Sequence, residues 1–360
     1  MVAGCPKDEK YIHGIMRILI ATGIYPPDIG GPATYSYILK TELPKRGVEV
    51  EILSFGEVRH LPKVLRHFVY FLKAVKKGRD ADIIFAQDPV SVGLLAFLAA
   101  KILRKKFLLK IVGDYAWEQG VQRFGVKESL DEFLKRRYLD LRVGLLRRFQ
   151  EMVARGAKKI IVPSYYLKGI VQTWGVWPDK ISVIYNTFKQ PRFTPRREAR
   201  TRLGVGENEI ILFSPGRNVP WKGFRMLQEI EPEIQKRFPT ARIVLGTFDK
   251  ETYDLWLMAC DLFLQNTGYE GFSHQILEAM ALGLPIITTN AGGNREIVEN
   301  NKNALVVEYN NKEAWIRAIN MLLENPALRE TISKGAKETA QKFLNKDMVG
   351  ETLKVLEDIK

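Results

Sequence analysis

Cysteine, histidine and long apolar runs are all scarce in this chain of 360 residues. The two cysteines, Cys5 and Cys260, are too few for a disulfide framework and too far apart in sequence to have the spacing of a metal-binding pair, which excludes both of those classes. No segment has about 18 uninterrupted apolar residues, so we predict no membrane-spanning helix. The N-terminal stretch lacks the apolar core of a signal peptide, and these features together predict a cytoplasmic protein.

Negatively charged side chains are also in short supply, with 41 carboxylates against 55 lysines and arginines and a net charge of +14. An excess of this size favours an anionic partner: a phosphate compound, a nucleic acid or an anionic membrane surface. Hydrophobic residues make up 46% and charged residues 27% of the chain, as in soluble globular proteins. The length is sufficient for about two domains with separate cores.

The glycine fingerprint of dinucleotide-binding proteins is missing. Neither Gly30-Gly31 nor Gly204-x-Gly206 completes the pattern G-x-G-x-x-G, which disfavours a NAD-dependent enzyme. Asp80-Ala81-Asp82 has the spacing of a metal-binding D-x-D, but it precedes a predicted strand instead of following one. We interpret these two carboxylates as solvated turn residues, and we predict neither a metal nor a cofactor.

Short apolar runs that predict strands alternate with patterns that predict helices. In the first half of the chain, strands are predicted at residues 16–21, 48–54, 82–86, 107–111, 159–162 and 181–184. This alternation indicates an α/β protein with parallel, doubly wound sheets. The pattern stops near residues 186–194, where a proline-containing segment predicts a linker, and a second alternation begins at residues 210–213. We therefore predict two Rossmann-like domains that face a central cleft.

A short loop and a helix start stand out between residues 269 and 297. Gly271 permits a sharp turn after Glu270, and Ser273 is a good N-cap for a helix over residues 274–282. The start of that helix would present unpaired N–H groups and a positive dipole end to the loop, which suits a phosphate.

A second carboxylate, Glu278, lies about one turn into the same helix. Because a carboxylate accepts two hydrogen bonds at once, it suits the paired hydroxyls of a ribose or hexose. Elsewhere a predicted strand ends at Gly216, and Arg217 and Lys222 follow just before a helix. Such cations could neutralise a diphosphate without a metal, because arginine forks onto phosphate oxygens and lysine adds a point charge.

Two of these segments resemble a known enzyme family. The string EGFSHQILEAMALGLPIITTNAGGNREIV, which starts at Glu270, follows almost position by position the E-x7-E signature of retaining GT-B glycosyltransferases of the GT4 type. Gly216, Arg217, Lys222 and Gly223 fit the G-R-x(4)-K-G of the same family. The resemblance extends roughly from Met16 to the C-terminus.

The resemblance implies a GT-B enzyme that transfers a hexose, with retention, from a nucleotide-diphosphate sugar to a hydroxyl of a glycan or lipid-linked acceptor, without a metal. The domains expected are an N-terminal extension at 1–15, an acceptor-side domain at 16–190, a nucleotide-sugar-binding domain at 191–345 and a helix at 346–360 that returns to the first domain. Cell-envelope polysaccharide synthesis is an expectation at the level of the family.

The resemblance also implies roles for individual residues. Arg217 and Lys222 would hold the diphosphate, Glu270 would contact the sugar ring, and Glu278 would bind the ribose. The other expected donor-binding residues are Gly30, Gly31, Gly216, Gly271, Phe272 and Ser273. Gly31 would approach the phosphate from the first domain when the cleft closes.

The chain departs from the family pattern in two places. Many members have a histidine after the fourth strand, facing the sugar, and here Gly113 takes that place. Asp114 follows it, and we predict that Asp114 contacts the sugar or acceptor, although a helix-capping role is an equal alternative. The segment 241–265 is shorter than is usual in the family, so the base of the donor is not predicted.

Two basic helices are predicted in the first domain, over residues 63–77 and 135–148. Their lysines and arginines are interspersed with aromatic and aliphatic residues, which suits an anionic membrane surface, although a solvated helix face is an alternative. A GT-B epimerase or phosphorylase of sugar nucleotides, and a nonenzymatic basic protein that binds membrane or nucleic acid, remain alternative functions. We expect no nucleic-acid partner for the transferase.

Overall fold

The computed structural model describes residues 15–28, 30–136 and 140–360, in which the strands form two sheets. The strands of the first sheet are β1 (Met16–Thr22), β2 (Val48–Ser54), β3 (Ile83–Ala86), β4 (Lys106–Lys110), β5 (Lys159–Val162) and β6 (Ile181–Val183). Those of the second sheet are β7 (Ile210–Pro215), β8 (Ala241–Gly246), β9 (Leu262–Gln265), β10 (Ile286–Thr288) and β11 (Leu305–Val306).

Helices connect and cover these strands. In the first half of the chain they are α1 (Gly31–Glu42), α2 (Lys63–Gly78), α3 (Gly93–Leu103), α4 (Tyr115–Arg123), α5 (Leu130–Lys135), α6 (Leu141–Gly156) and α7 (Tyr165–Thr173). In the second half they are α8 (Arg196–Leu203), α9 (Phe224–Arg237), α10 (Lys250–Ala259), α11 (His274–Leu282), α12 (Lys312–Glu324), α13 (Pro326–Leu344) and α14 (Met348–Ile359). Short 3₁₀ helices occur at Pro44–Arg46, Phe55–Val58, Pro178–Lys180, Pro220–Lys222 and Gly292–Glu296.

The strand order explains where a ligand can bind. It is β2-β1-β3-β4-β5-β6 in the first sheet and β11-β10-β9-β7-β8 in the second, and the paired strands are parallel. In each sheet the order reverses beside the first strand, β1 or β7. Such a reversal opens a crevice at the carboxyl ends of the strands, where doubly wound sheets bind ligands. The two Rossmann-like sheets confirm the predicted fold class.

Both sheets are covered on both faces. Strands β3 and β9 are buried at all of their positions, as central strands between two helical layers should be. In the first domain α1 and α14 cover one face, and α2, α3, α6 and α7 cover the other. In the second domain α9 and α12 cover one face, and α8, α10, α11 and α13 the other.

The last helix, α14, packs on the first domain. The Tyr35 hydroxyl on α1 lies 3.2 Å from Thr352 Oγ1, and both side chains are buried. Arg46 forms an ion pair with Asp347 at the N-cap of α14, with N–O distances of 2.8 and 3.0 Å. The apolar side chains of α14 that enter the core of the first domain are Met348, Val349, Val355, Leu356 and Ile359.

The predicted basic helix over residues 135–148 is wrong as a single helix. Helix α5 ends at Lys135, and Arg136 after it is extended, with φ −100° and ψ 149°. A new helix, α6, starts at Leu141 because the Asp140 side chain caps it, accepting hydrogen bonds from two backbone N–H groups of its first turn. Residues 137–139, which the predicted helix included, lie outside the described residues.

The outer surface of the first domain exposes large apolar side chains. Helix α3 packs between α2 and α6, and all three carry such residues on the side away from the sheet. The most exposed of these are Val64 at 85%, Phe68 at 57%, Ile102 at 63% and Leu141 at 88%. Among the described residues, no helix combines the length and the apolar character needed to span a bilayer.

We expect that Leu356→Ala weakens the attachment of α14. Leu356 is fully buried between α14 and the first sheet, and deletion of such a side chain costs about 2–5 kcal/mol of unfolding free energy. Urea denaturation followed by circular dichroism measures the loss. Lys354→Ala, at an exposed position of the same helix, should change the unfolding free energy by less than about 0.5 kcal/mol. Equal effects of the two substitutions would contradict the packing described for α14.

Candidate active site

The loop after β7 presents two cations to the cleft. Gly223 ends this loop with φ 55° and is the N-cap of α9. A Cβ at Gly223 would lie 2.1 Å from Asn266 Nδ2. Only glycine therefore lets the backbone at position 223 pass this close to the loop after β9. Arg217 is exposed and forms no ion pair within the described part of the chain, whereas Lys222 is largely buried.

Lys222 forms an ion pair with Glu270, and the two side chains are only 14% and 16% exposed. The pair joins the loops that follow β7 and β9, two neighbouring strands of the second sheet. A partly buried ion pair of this kind fixes the positions of both groups. It therefore holds the Lys222 ammonium and the Glu270 carboxylate together at the carboxyl edge of the sheet. The sequence analysis predicted both residues in loops that follow strands.

Helix α11 begins where the sequence predicts. The Ser273 hydroxyl accepts a hydrogen bond from the backbone N–H of Ile276 and another from Gln265 Nε2, at 3.4 and 2.8 Å. The first N–H groups of α11 therefore lie beside the loop that contains Glu270. The Phe272 side chain is 6% exposed and packs against Tyr185 in the core, so only its backbone can serve a ligand. The prediction for residues 271–273 concerns their backbone N–H groups, and a donor contact at Phe272 stays a prediction.

The loop from Glu270 to Ser273 is held on two sides by very close backbone contacts. A Cβ at Gly271 would lie 2.2 Å from the Val112 carbonyl oxygen of the first domain. On the other side, a Cβ at Gly292 or Gly293 would lie 2.0 Å or 2.1 Å from the carbonyl oxygens of residues 270 and 271. Glycine is required at these positions because no side chain fits between the backbones.

The two domains also contact each other through polar groups at this loop. The Ser164 hydroxyl of the first domain donates a hydrogen bond of 2.8 Å to the carbonyl oxygen of Gly271. The Glu296 carboxylate of the second domain accepts hydrogen bonds from the backbone N–H groups of Tyr165 and Tyr166, at 3.1 and 2.8 Å. Since those N–H groups open α7, a residue of one domain caps a helix of the other.

Glu278 is 14% exposed and has two partners on α10. It accepts a hydrogen bond of 2.7 Å from the Tyr253 hydroxyl and one of 3.1 Å from Lys250 Nζ. Burial raises the pKa of Glu278, while Lys250 and Tyr253 act in the opposite direction. Sequence reasoning missed both partners, since nothing in the pattern of α10 indicated which of its faces meets α11.

Asp114 has a structural position, which corrects its prediction as a substrate contact. It is fully buried and caps α4, accepting hydrogen bonds of 2.9 Å from the Trp117 N–H and 3.0 Å from Gln150 Nε2. Its carboxylate therefore does not face the cleft. Of the two interpretations that the sequence left open, the helix cap is the one that the structure supports.

Glu118, one turn further along α4, is the carboxyl group that lies at the cleft. A Cβ at Gly113 would lie 2.1 Å from Glu118 Oε1, so the missing side chain at 113 makes the space for this carboxyl group. Burial raises the pKa of Glu118 to about 7, and Arg217 of the second domain acts in the opposite direction. The sequence signal for it was weak, because a glutamate in a first helical turn is common on solvated surfaces.

Gly30 and Gly31 lie at the start of α1, after the carboxyl end of β1. A Cβ at Gly31 would meet no atom within 4 Å, whereas one at Gly30 would lie 2.7 Å from Ile24 Cδ1. The open space at Gly31 is compatible with a ligand approaching its backbone. The expected phosphate contact stays a prediction.

A cavity of about 1000 Å³ lies between the domains beside these charged groups. Its walls come from α4 and the segment after it in the first domain, and from the loops after β7, β9, β10 and β11 in the second. Trp117 and Trp221 line it, with their rings 5.0 Å apart. These two tryptophans directly precede Glu118 and Lys222 in sequence. Among the described residues, no group of three or more histidine, cysteine or acidic side chains could hold a metal ion.

The two parallel, doubly wound sheets that meet at a cleft define the GT-B fold, and comparisons with solved structures agree. HepE of Anabaena, solved in complex with UDP, has a TM-score of 0.67 and 19% identity, covering 95% of this chain and 99% of that one. Sucrose-phosphate synthase of Thermosynechococcus elongatus has a TM-score of 0.72 and 18% identity, covering 95% and 98%. At these identities the likeness shows the fold alone.

The sequence models of two families match the chain. The model described as glycosyltransferase family 4 matches residues 29–188, and that described as glycosyl transferases group 1 matches residues 242–339. The chain belongs to the group 1 glycosyltransferases of the GT4 type.

Individual relatives are distant. An uncharacterized glycosyltransferase of Methanocaldococcus jannaschii is 24% identical over 96% of this chain and 99% of its own length. Spore coat protein SA of Bacillus subtilis is 28% identical over 45% of this chain. A D-inositol 3-phosphate glycosyltransferase of Nocardioides is 24% identical over 57% of this chain. The matches span only 53% and 55% of the lengths of the last two relatives.

We expect that Gly293→Ala destabilises the loop between Glu270 and Ser273. The added methyl group would overlap the carbonyl oxygen of Gly271, and overpacking of this kind costs about 1–3 kcal/mol of unfolding free energy. Gly169→Ala is the matched control, because its Cβ would meet no atom within 4 Å on the exposed side of α7. That substitution should stabilise the protein by about 0.5–1 kcal/mol, because alanine is the better helix former. Urea denaturation of both variants measures the change in unfolding free energy. No change in the Gly293→Ala variant would contradict the close contact between Gly293 and the Gly271 carbonyl oxygen.

Proposed function

We propose that the protein transfers a hexose from a nucleotide-diphosphate sugar to a hydroxyl of a glycan or lipid-linked acceptor, with retention and without a metal. The observation that carries this proposal is the cluster at the carboxyl edge of the second sheet. There the Lys222–Glu270 ion pair, the free Arg217 and the N-terminus of α11 lie on adjacent loops. HepE, which has the same fold, has been solved with UDP and with UDP-glucose, and this supports a nucleotide-sugar donor.

The diphosphate is held by Lys222 and Arg217. When the acceptor oxygen replaces it at the anomeric carbon, the diphosphate leaves with the electron pair of the broken bond, and the proton of the acceptor hydroxyl passes to the departing phosphate oxygen. Its growing negative charge meets two cations that are already in place, so little reorganisation is needed at the moment of reaction. The partly buried position of Lys222 strengthens its effect, because the surroundings screen the charge less than water does.

The nucleoside lies toward Glu278 and the sugar toward Glu270. Glu278 already accepts hydrogen bonds from Tyr253 and Lys250, and a carboxylate has about four lone-pair positions, so it keeps capacity for ribose hydroxyls. Glu270 directs its carboxylate to the sugar ring while Lys222 holds it. The backbone N–H groups of Gly271 and Ser273 lie nearby, and Gly30 and Gly31 close on the phosphates from the first domain.

The cavity lined by Trp117 and Trp221 is the place for the acceptor. Trp117 and Trp221 line it, and aromatic rings offer the flat faces on which sugars stack. An epimerase or phosphorylase with the same fold would bind the same donor, and analysis of the products separates those activities from a transferase.

Lys222→Ala should lower kcat by two to three orders of magnitude, which is about the effect of removing one preorganised charge-stabilising group. The donor is first identified by calorimetry with UDP-, GDP-, ADP- and TDP-sugars, and turnover is then measured as release of the nucleoside diphosphate. Lys236→Ala is the control, because Lys236 is exposed and, among the residues that the structure describes, pairs only with Glu233 on its own helix. Unchanged turnover in the Lys222 variant would remove the proposed role of this ammonium group.

We also propose that the first domain associates peripherally with an anionic membrane on the cytoplasmic side. The apolar side chains exposed on α2, α3 and α6 support this proposal. A pocket of about 400 Å³ at the ends of α3 and α6 adds positive charge. The lysines that line this pocket are Lys101, Lys105, Lys106, Lys158, Lys159 and Lys180, and none of them has an ion-pair partner in the described part of the chain. On α2, by contrast, Lys73 and Lys77 are already paired with glutamates.

Replacing three lysines of this pocket should release the protein from anionic vesicles. A lysine near such a surface contributes about 1 kcal/mol, so the triple variant Lys105→Gln/Lys106→Gln/Lys158→Gln should bind phosphatidylglycerol vesicles about a hundredfold more weakly. The matched control, Lys334→Gln/Lys342→Gln/Lys354→Gln, removes the same charge from exposed positions elsewhere. Vesicle sedimentation measures both. Equal losses would mean that net charge alone causes binding, and no binding by the wild type would contradict membrane association.

A further inference from the structure

The carboxyl group of Glu118 fits at the cleft because residue 113 is a glycine. A side chain at position 113 would need the same space. The carboxyl group of Glu118 fills the volume that any Cβ at position 113 would enter, at 2.1 Å from Oε1. The same Cβ would lie 3.0 Å from the Tyr269 hydroxyl oxygen, which belongs to the second domain. The carboxyl group of Glu118 therefore lies where the first domain meets the residue just before Glu270.

Charged and titratable groups face Glu118 from several elements. They are Asp114 and Tyr115 at the start of α4, Asp88 after β3, Tyr269 and Glu270 after β9, and Arg217 after β7. Arg217 is the cation with the largest effect on Glu118, and Lys222 beside it is already paired with Glu270. Within the described residues, the carboxyl group of Glu118 accepts no hydrogen bond and forms no ion pair, so its hydrogen-bonding capacity is free for a ligand.

We propose that Glu118 is a substrate-contacting residue of the first domain, whose carboxyl group forms a hydrogen bond with a hydroxyl of the transferred hexose. This inference rests on the proposed function, because it takes Arg217 and Glu270 as contacts of the diphosphate and the sugar. Both of those side chains are close enough to act on the charge of Glu118, and its carboxyl group lies beside Tyr269, the residue before Glu270. We therefore place Glu118 next to the junction between sugar and diphosphate. The first domain thus contributes a hexose contact to a donor that is held mainly by the second domain.

The protonated form of Glu118 is the form that suits the donor. Burial raises the pKa of Glu118 to about 7, and the nearby carboxylates of Asp114, Glu270 and Asp88 act in the same direction. A bound donor adds the negative charge of its diphosphate and engages Arg217, whose charge otherwise stabilises the ionised carboxylate. Both changes raise the pKa of Glu118 further, so donor binding takes up a proton.

This proton uptake makes donor affinity depend on pH. Below pH 7 the carboxyl group is already neutral, can donate its proton to a sugar hydroxyl and does not repel the diphosphate. Above pH 7 the carboxyl group of Glu118 is mostly ionised in the free protein, and it must take up a proton when the donor binds. Donor affinity should therefore fall as the pH rises from 6 to 8.5, by about tenfold if the pKa rises by one unit on binding.

The experiment compares a hexose donor with its nucleoside diphosphate. Calorimetry identifies the tightest binder among UDP-, GDP-, ADP- and TDP-glucose, and the matching nucleoside diphosphate serves as the ligand without the hexose. At pH 6, Glu118→Ala should weaken binding of the hexose donor about tenfold and leave binding of the nucleoside diphosphate within twofold. Glu118→Gln, which stays neutral and still forms hydrogen bonds, should retain donor binding and lose the pH dependence.

Two controls complete the design. Gly113→Ala displaces the carboxyl group without removing it and should reproduce the loss of donor affinity, and circular dichroism checks that both variants fold. Glu233→Gln removes an exposed carboxylate on α9 and should change neither the affinity nor its pH dependence.

The outcomes separate the two proposals. If the wild type binds a donor and Glu118→Ala binds it equally well, or loses donor and nucleoside diphosphate alike, the hexose contact is overturned and the transferase proposal stands. If the wild type binds none of the four donors, the transferase proposal and this inference are both overturned.

Discussion

The close backbone contacts on both sides of the loop from Glu270 to Ser273 are the constraint on which the candidate site depends. Gly271 touches the backbone of the first domain, and Gly292 and Gly293 touch the loop from its own domain. Because no side chain separates these backbones, the position of the loop is fixed by all three segments together. The loop in turn positions the Glu270 carboxylate and the start of α11. The geometry of the site therefore depends on the contact between the two domains.

The charges at this contact are arranged for a ligand that brings negative charge with it. Lys222 is balanced by Glu270, while Arg217 has no ion-pair partner within the described residues. Around them lie Glu118 and Asp114, whose pKa values burial raises. A diphosphate would supply the counter-charge for the free arginine and at the same time favour the neutral form of the nearest carboxyl group. Binding of such a ligand would therefore be coupled to protonation of this site by simple electrostatics.

The sequence predicted what depends on local patterns and missed what depends on tertiary contacts. The parallel sheets and the bounds of α11 follow from hydrophobic periodicity and from a capping serine, and both are local signals. The partners of Glu278 could not be predicted, because Tyr253 reaches it only through the packing of α10 on α11. Asp114 and Glu118 differ by one helical turn, and only the packed helix shows which carboxyl group is buried as a cap and which reaches the cleft.

The cap that Glu296 provides for α7 bears on how the domains can move. This carboxylate also accepts a hydrogen bond of 2.9 Å from the Tyr185 hydroxyl, close to the linker between the domains. Any rotation that separated Glu296 from α7 would leave two helix N–H groups and a carboxylate without partners, and each would have to be resolvated. The contact therefore favours motions of the domains that keep Glu296 at the start of α7 over motions that pull the two apart at this point.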